Sequence, residues 1–150
     1  MKYIVLSDIH GNKKGVEQLL SSVEYDGVIF AGDGLSDIEQ VVDGFKVRGN
    51  CDFFSNVSNI VETEICGKKV MLTHGHMFGV KSGLGALINE AETRGVDLVI
   101  FGHTHIPYNE KINGITYLNP GTFKKSIFGK STYAVVEFDD NGFLINLLEF

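Results

Sequence analysis

An apolar, β-rich run at the amino terminus, Lys2–Ser7, leads directly into Asp8-Ile9-His10-Gly11-Asn12. In α/β proteins, ligands collect in the crevice beyond the carboxyl ends of the strands. The spacing of Asp8 and His10 lets both side chains turn toward one point from a short loop. Aspartate and histidine are common near turns, so this pair gains weight because similar pairs follow other apolar runs of the chain.

Predicted strands and helices alternate through the first third of the chain. Asn12 can cap a helix with apolar residues at helical spacing, and a short buried strand over 28–30 follows. A second helix is predicted from Ile38, Val41, Val42 and a terminating Gly44. A third strand over 45–48 completes a β-α-β-α-β order, which predicts parallel strands joined by right-handed crossovers.

The second half of the chain predicts strands joined by tight turns and one further helix. The helix covers roughly 83–94 and ends at Gly95, and Asn113-Gly114 is a strong signal for a type I′ hairpin turn. The strands predicted in this half are 60–65, 70–73, 97–101, 108–112, 115–118, 133–138 and 143–150. Together these elements predict one α/β domain over residues 1–150, with mixed sheets and helices outside them.

Composition narrows the class of protein. Hydrophobic residues make up 43% and charged residues 21% of the chain, which is ordinary for a soluble globular domain. The formal net charge of −6 argues against a protein that grips long nucleic acid, although bound metal would neutralise some carboxylates. No apolar run reaches membrane-spanning length, so we expect no membrane association. The two cysteines, Cys51 and Cys66, are too few for a disulfide framework, so we expect a cytoplasmic protein.

Polar side chains follow five of the predicted strands. These side chains are Asp8 and His10, Asp33, Asn50, His74 and His76, and His103 and His105, and they include all five histidines of the protein. Any one of these histidines can equally be a loop residue with satisfied hydrogen bonds. The arrival of the whole set at one edge of the sheets favours a metal site.

The donor types select the kind of metal. Carboxylate, imidazole and amide oxygen suit Mn²⁺, Fe²⁺, Zn²⁺, Ni²⁺ or Mg²⁺, and among these we expect Mn²⁺. A zinc ribbon is excluded because the chain has no CxxC motif. The donors are more numerous than one catalytic ion needs, so we expect two ions, with Asp33 able to bridge them.

These motifs resemble the signature of the calcineurin-like metallophosphoesterases. The matching residues are Asp8-x-His10, Gly32-Asp33, Gly49-Asn50, His74 and Gly102-His103-x-His105. The small size, Gly49-Asn50-Cys51-Asp52 and Asn119-Pro120-Gly121 resemble the compact bacterial and archaeal phosphodiesterase branch. The resemblance implies two facing mixed β-sheets flanked by helices, a four-layer sandwich with metals at the strand ends. It implies one ion held by Asp8, His10, Asp33 and His105, and a second held by Asp33, Asn50, His74 and His103.

The chain departs from the family pattern at Cys51. Many members have histidine after the Gly-Asn pair, where it is thought to protonate the leaving group, and a neutral thiol suits that role poorly. The acid could then be His76 or a metal-bound water, or no acid is needed if the leaving group is good. His76 could equally orient substrate, and we expect Asp52 to orient its neighbours or a metal ligand. Cys51 could be a nucleophile, but a tolerated small side chain is the commoner reading.

The resemblance implies hydrolysis of a phosphoric ester by a hydroxide that bridges two metal ions and attacks phosphorus in line. A phosphomonoester usually attracts additional fixed cations, and Arg48 and Arg94 are the only arginines. Arg48 could reach a phosphate or form a surface ion pair. The shortage of arginine therefore favours a small phosphodiester as substrate, with a phosphomonoester as the alternative.

Two other classes remain open. A non-catalytic scaffold of the same fold exists in eukaryotic retromer, where the metal site is degraded, whereas the histidine set is intact here. A nuclease would need a basic track and stacking aromatics, for which the candidates near loops are Phe53, Phe54, Phe78 and Phe123. Self-association as a dimer or tetramer is also implied by the resemblance, with the apolar strand 143–150 as a candidate edge.

Overall fold

A computed structural model describes residues 1–41 and 43–150 of the chain. The strands of these residues are β1 (Lys2–Leu6), β2 (Gly27–Phe30), β3 (Gly44–Lys46), β4 (Ile60–Ile65), β5 (Lys68–Thr73), β6 (Leu98–Ile100), β7 (Pro107–Ile112), β8 (Ile115–Pro120), β9 (Thr132–Asp139) and β10 (Gly142–Glu149). The α-helices are α1 (Lys13–Ser22) and α2 (Gly85–Arg94), and short 3-10 turns cover Leu35–Ile38, His76–Phe78 and Val80–Ser82. Neither α1 nor α2, the α-helices of the described residues, is long and apolar enough to cross a membrane.

The strands form two five-stranded mixed sheets. The first sheet has the order β10-β9-β1-β2-β3, and the second has the order β4-β5-β6-β8-β7. In the first sheet β1, β2 and β3 run parallel, as the alternating sequence predicts, and β9 pairs antiparallel with β1. In the second sheet β5, β6 and β8 run parallel. The fold class predicted from the sequence is confirmed.

The central strands are apolar along their whole length because both faces of each sheet are covered. In β1, Tyr3 and Val5 point into the core between the two sheets, whereas Ile4 and Leu6 point toward α1. The second sheet divides in the same way, since Leu98 and Ile100 of β6 face the first sheet and Val99 faces the α2 side. Because successive side chains of a strand point to opposite faces, these apolar strands contribute to three apolar layers: one between the sheets and one on the outer face of each sheet.

The helix predicted from Ile38, Val41, Val42 and Gly44 is wrong in its kind and its end. The structure has only the 3-10 turn Leu35–Ile38, in which Ile38 is buried, and Val42 lies outside the described residues. Gly44 does not end a helix but opens β3, with a φ of 133° and its Cα packed against the backbone of Val28. The turn buries Ile38, and Val41 packs partly buried against the same core, so a second helix is not needed to bring these two residues to it.

The other predicted elements are confirmed with small changes at their ends. Asn12 caps α1, since its side chain accepts a hydrogen bond from Gly15 N–H (3.3 Å). The helix predicted near 83–94 begins at Gly85 and ends, as expected, at Gly95 in the left-handed region. Strand β10 is an edge of the first sheet and exposes Leu144, Leu147 and Leu148. Self-association through this edge stays a prediction.

Candidate metal centre

The polar strand ends of both sheets meet at one edge of the molecule. Within the first sheet, Asp8 N–H donates to Gly32 O (2.9 Å), and within the second, Gly102 N–H donates to His74 O (3.0 Å). Hydrogen bonds also join the two sheets: His103 N–H donates to Asp8 Oδ2 (3.0 Å), and His74 Nδ1 lies 2.7 Å from Ala31 O. Loops far apart in the chain are thereby fixed against one another.

The first group of donor atoms surrounds Asp8. Its carboxylate is fully buried, and Oδ1 lies 3.6 Å from His10 Nε2 and 3.1 Å from His105 Nε2. The two imidazole rings are 5.3 Å apart. The ligand atoms of these three residues all lie within 4.8 Å of one another, so they could hold a metal ion together.

The second group surrounds His74, which is also fully buried. Its Nε2 lies 3.3 Å from Asp33 Oδ2 and 3.1 Å from Asn50 Oδ1. Asp33 Oδ2 also lies 3.9 Å from His10 Nε2 of the first group. Asp33 therefore stands between the two groups of donors.

His76 and His103 lie beside the second group. The His103 ring is 5.0 Å and the His76 ring 5.4 Å from the ring of His74, and they are 6.1 Å from each other. His76 Nδ1 is buried and has no hydrogen-bond partner among the described residues. The structure thus brings all five histidines together, with two on one side of Asp33 and three on the other.

Backbone conformation at the site is unusual. Five donors have a positive φ: Asp8 (52°), His10 (45°), Asp33 (64°), His103 (69°) and His105 (62°). A left-handed conformation costs a residue with a Cβ about 1–2 kcal/mol, and such strain gathers at functional sites. Backbone strain at the residues that converge on the site therefore adds up to about several kcal/mol.

Glycines precede three of the donors because the loops approach too closely for a Cβ. At Gly32, a Cβ would lie 2.7 Å from Gly49 N and 2.9 Å from His74 Nδ1. A Cβ at Gly102 would collide with the hydroxyl of Ser7 and lie 2.9 Å from Asp8 Oδ2. The Gly-Asp, Gly-Asn and Gly-His pairs are thus requirements of packing between loops.

Electrostatics at the centre favour a cation. Burial by itself would raise the pKa of the Asp33 carboxyl, but hydrogen bonds from His74 and from Cys51 N–H outweigh it and hold that pKa well below its usual range. Burial would lower the pKa of His74, but the hydrogen bond to Asp33 and the charge of Asp8 raise it above its ordinary value. Two buried carboxylates therefore create a field that stabilises positive charge at His74.

The donor set fits divalent cations. Asp8 Oδ1 is buried and makes no hydrogen bond to any described residue, although three imidazole nitrogens surround it. A buried carboxylate oxygen without a donor is costly unless a cation satisfies it. His74 can donate its Nδ1–H to Ala31 O, so a cation that displaced the Nε2 proton would find the Nε2 lone pair beside the carboxylates of Asp33 and Asp8.

Asp52 organises the loops without facing the donors. Its carboxylate accepts hydrogen bonds from four backbone N–H groups: Asp33, Gly34, Leu35 and Gly49, at 2.8 to 3.0 Å. These bonds clamp the loop after β2 to the loop after β3. Asp52 therefore lies where it could position Asp33 and Asn50, and its orienting role stays a prediction.

Cys51 is exposed and lies at the rim of the centre. Its Sγ lies within 4.8 Å of ligand atoms of His10 and Asp33. Burial of the thiol and the charge of Asp33 raise the pKa of Cys51, so the thiol stays protonated near neutral pH. A protonated thiol is a poor nucleophile, which favours the tolerated side chain over the nucleophile.

Three residues that position the donors carried no assigned role in the sequence. The Ser7 hydroxyl donates to Asp8 Oδ2 (2.5 Å), and the Thr122 hydroxyl donates to Asp8 O (2.8 Å). Asn119 is fully buried and donates to Gly102 O (2.9 Å) and to Thr104 Oγ1 (3.0 Å), which fixes the histidine loop. In the sequence, Ser7 and Asn119 each stand at the end of an apolar run, and Asn119 belongs to the Asn119-Pro120-Gly121 motif of the resemblance.

The two arginines do not meet the donors in this structure. Arg94 pairs with Glu90 (2.6 Å) and Glu62 (2.9 Å) at the end of α2. Arg48 donates to Ser55 O (3.3 Å), and the surface ion pair weighed for it is not seen among the described residues. Contact of Arg48 with a phosphate stays a prediction.

The candidate stacking phenylalanines separate into two classes. Phe123 is fully buried in the core and Phe78 packs partly buried beside α2, so neither can stack a base. Phe53 and Phe54 are exposed, at 73% and 102% of their full surface. Of the four phenylalanines considered for stacking bases in a nuclease, only the adjacent Phe53 and Phe54 are exposed.

A family comparison agrees with this arrangement of strands and donors. The model of the calcineurin-like phosphoesterase superfamily domain matches residues 1–141. The chain belongs to the calcineurin-like phosphoesterase superfamily. This superfamily is metal-dependent, and the Asp and His donors of this chain are able to bind metal.

Individual members of the calcineurin-like phosphoesterase superfamily resemble the whole chain. The probable metallophosphoesterase YsnB of Bacillus subtilis is 28% identical over 146 residues, covering 94% of this chain and 86% of YsnB. The phosphodiesterase YfcE of Escherichia coli K12 is 28% identical, covering 81% of this chain and 79% of YfcE. A solved structure of a predicted phosphoesterase from Streptococcus pneumoniae TIGR4 superposes with a TM-score of 0.83, 29% identity, and coverage of 99% and 88%.

Proposed function

We propose that this protein is a phosphodiesterase that hydrolyses a small phosphodiester with two divalent metal ions, of which Mn²⁺ is our first choice. The proposed ligands of one ion are Asp8, His10, Asp33 and His105, and those of the other are Asp33, Asn50, His74 and His103. When bound, the ions supply Lewis-acid stabilisation of the phosphoryl oxygens and an activated water.

One observation carries the two-ion assignment. Asp33 Oδ2 lies 3.3 Å from His74 Nε2 and 3.9 Å from His10 Nε2, so one carboxylate oxygen faces both groups of imidazoles. A shared carboxylate is the usual link between two catalytic ions. Its lowered pKa keeps Asp33 ionised through the neutral range, as a ligand must be.

The protein's own groups set the orientation of the substrate. His74 is held by Ala31 O, and His103 is held by the bond from its N–H to Asp8. The His76 ring lies 5.4 Å from the His74 ring, and its Nδ1 is buried without a hydrogen-bond partner among the described residues. Because an imidazole in this position can hydrogen-bond a phosphoryl oxygen, we assign His76 to orienting substrate.

We infer the class of substrate from the small number of arginines, Arg48 and Arg94. A monoester dianion needs more compensating positive charge than a diester monoanion, and Arg94 is fully engaged in its ion pairs. YfcE, with 28% identity, is named a phosphodiesterase. Both observations favour a phosphodiester.

Hydrolysis of two aryl phosphates tests this proposal. The metal-free protein is supplied with Mn²⁺, Ni²⁺, Zn²⁺ or Mg²⁺, and its rates on bis-p-nitrophenyl phosphate and p-nitrophenyl phosphate are compared. We expect metal-dependent turnover with a higher kcat/KM for the diester. Preference for the monoester would contradict the substrate class. Tight metal binding without turnover of either ester would instead support the scaffold alternative.

Cys51 gives a second test, of leaving-group chemistry. Replacement Cys51→His supplies an imidazole where the thiol cannot act as an acid, and general acids contribute roughly a hundredfold or more when the leaving group is poor. We expect at least about a tenfold rise in kcat for a diester with an alkyl leaving group. With p-nitrophenolate, which needs no proton, the rate should stay within about threefold. The variant Cys51→Ser is the control, since it replaces the thiol without adding an acid; equal gains in both variants would contradict the assignment.

A further inference from the structure

An apolar pocket of about 330 Å³ lies beside the candidate metal centre. Its apolar lining consists of Val80, Leu84, Phe101, Ile106 and Tyr108, and we call it the apolar pocket. Phe101 (1% exposed) and Val80 (4% exposed) lie in the protein interior, whereas Ile106 is 66% exposed. The Tyr108 ring meets the Phe101 ring edge-on, at 6.2 Å between centroids. The volume is at the small end of the range for ligand pockets.

The apolar pocket lies between the two loops that carry the second group of histidines. A Cβ at Gly75 would come within 2.9 Å of Val80 and 3.7 Å of Phe101, so the His74-Gly75-His76 loop packs directly on the pocket. The His103–His105 loop stands between two pocket residues in the chain, because Phe101 precedes it and Ile106 follows it. A molecule held at those histidines therefore has the apolar pocket as a neighbour.

The polar members of the lining are Lys81 and Thr104. The Thr104 hydroxyl is already engaged, since it receives hydrogen bonds from Asn119 Nδ2 (3.0 Å) and Ile106 N–H (3.2 Å). Lys81 is exposed, so its ammonium stands in water at the rim. Apart from the Tyr108 hydroxyl, the rest of the lining consists of apolar side chains, so an uncharged and largely apolar group fits it best.

We propose that the apolar pocket seats one ester group of the substrate, and that this group is an aromatic ring or a flat apolar group of similar size. The proposal rests on the phosphodiesterase function, because only a diester has a second organic group beside the one that leaves. Diesters whose seated group buries more apolar surface in the pocket should then be preferred as substrates.

Two diesters with one leaving group provide the test. Methyl p-nitrophenyl phosphate and phenyl p-nitrophenyl phosphate release the same phenolate but differ in the group that is retained. We expect the wild-type protein to prefer the phenyl ester by about tenfold in kcat/KM, mainly through KM. Replacement Ile106→Asn should lower this preference to near the ratio of the uncatalysed reactivities of the two esters. The two esters also differ in intrinsic reactivity. That difference cancels when the ratio of their kcat/KM values is compared between the wild-type protein and the variant.

Leu144→Asn is the matched control for Ile106→Asn. Leu144 is similarly exposed (62%) and lies on β10. It pairs with Glu137, which pairs with Lys2 at the start of β1, at the end opposite the metal centre. The control should keep the wild-type preference for the phenyl ester. An unchanged preference in Ile106→Asn would overturn the assignment of the apolar pocket.

Binding without turnover separates this proposal from the proposed function. In the Mg²⁺-loaded protein, diphenyl phosphate should shift the methyl resonances of Val80, Leu84 and Ile106, and leave those of Leu144 unchanged. Dimethyl phosphate should leave all four unchanged. These shifts without hydrolysis of any diester would refute the phosphodiesterase but support the pocket. Hydrolysis without these shifts would overturn the pocket and leave the phosphodiesterase standing.

Discussion

Asp33→Ala should abolish metal-dependent hydrolysis, with kcat/KM falling about a thousandfold or more. The physical reason is that Asp33 Oδ2 faces imidazoles of both donor groups, His74 at 3.3 Å and His10 at 3.9 Å. Its loss should remove the shared ligand and at least one of the two ions. Several kcal/mol of transition-state stabilisation supplied by the ions would go with it, which corresponds to about three powers of ten in rate. The measurements are steady-state rates and elemental analysis after dialysis against Mn²⁺.

Two further variants make the Asp33→Ala result specific. Asp33→Asn keeps an oxygen that can accept the Cys51 N–H (2.7 Å in the wild type), so it separates the loss of charge from the loss of that bond. Asp26→Ala is the matched control, because Asp26 accepts a backbone bond from Lys2 (2.6 Å) at the far end of β1. It should keep activity within about twofold, as expected for a residue away from the site. Wild-type rates and two bound ions in Asp33→Ala would refute the assignment.

Asp52→Ala should lower the free energy of unfolding by about 3 kcal/mol, because four backbone N–H groups lose a charged acceptor. For a domain of this length, that loss corresponds to a fall in Tm of about 10 °C. Activity should fall as well, since the loops that carry Asp33 and Asn50 are no longer clamped. Urea unfolding in EDTA measures the loss without the contribution of bound metal.

Asp139→Ala is the matched control for Asp52→Ala. Asp139 also accepts backbone bonds, from Asn141 (2.7 Å) and Gly142 (3.0 Å), but in an exposed turn between β9 and β10. Water replaces those bonds readily, so we expect a loss below about 1 kcal/mol and unchanged activity. If both variants lost the same stability and kept full activity, Asp52 would not be a positioning residue.

The sheets were predictable because their signal is local. The alternation of strand and helix at the amino terminus predicts the parallel β1, β2 and β3, and Asn113-Gly114 predicts the hairpin of β7 and β8. The second helix failed because a helix and a single 3-10 turn bury Ile38 equally well. Only the packing of neighbouring elements decides which of them forms.

Strand ends predict that the donors lie near one another, whereas their grouping came only from the family resemblance. Each donor follows a predicted strand, so the strand pattern predicts that they share an edge. The strand pattern does not say that His10 lies beside His105 or that His76 lies beside His103, because those distances depend on how the two sheets face each other. The resemblance implies that His10 and His105 share an ion, and it says nothing about His76. The role of Asp52 needs contacts across 17 to 19 residues and the role of His103 N–H a contact across 95.

The amino-acid sequence by itself determined the fold class and the chemical kind of the site, because strand periodicity and donor type are properties of neighbouring residues. The tertiary structure alone decided that Asp33 faces two groups of imidazoles, that Ser7 and Asn119 hold the donor loops, and that an apolar pocket adjoins them. These features arise where loops from two separate sheets pack together. A local sequence pattern cannot predict that packing, because the residues in contact are far apart in the chain.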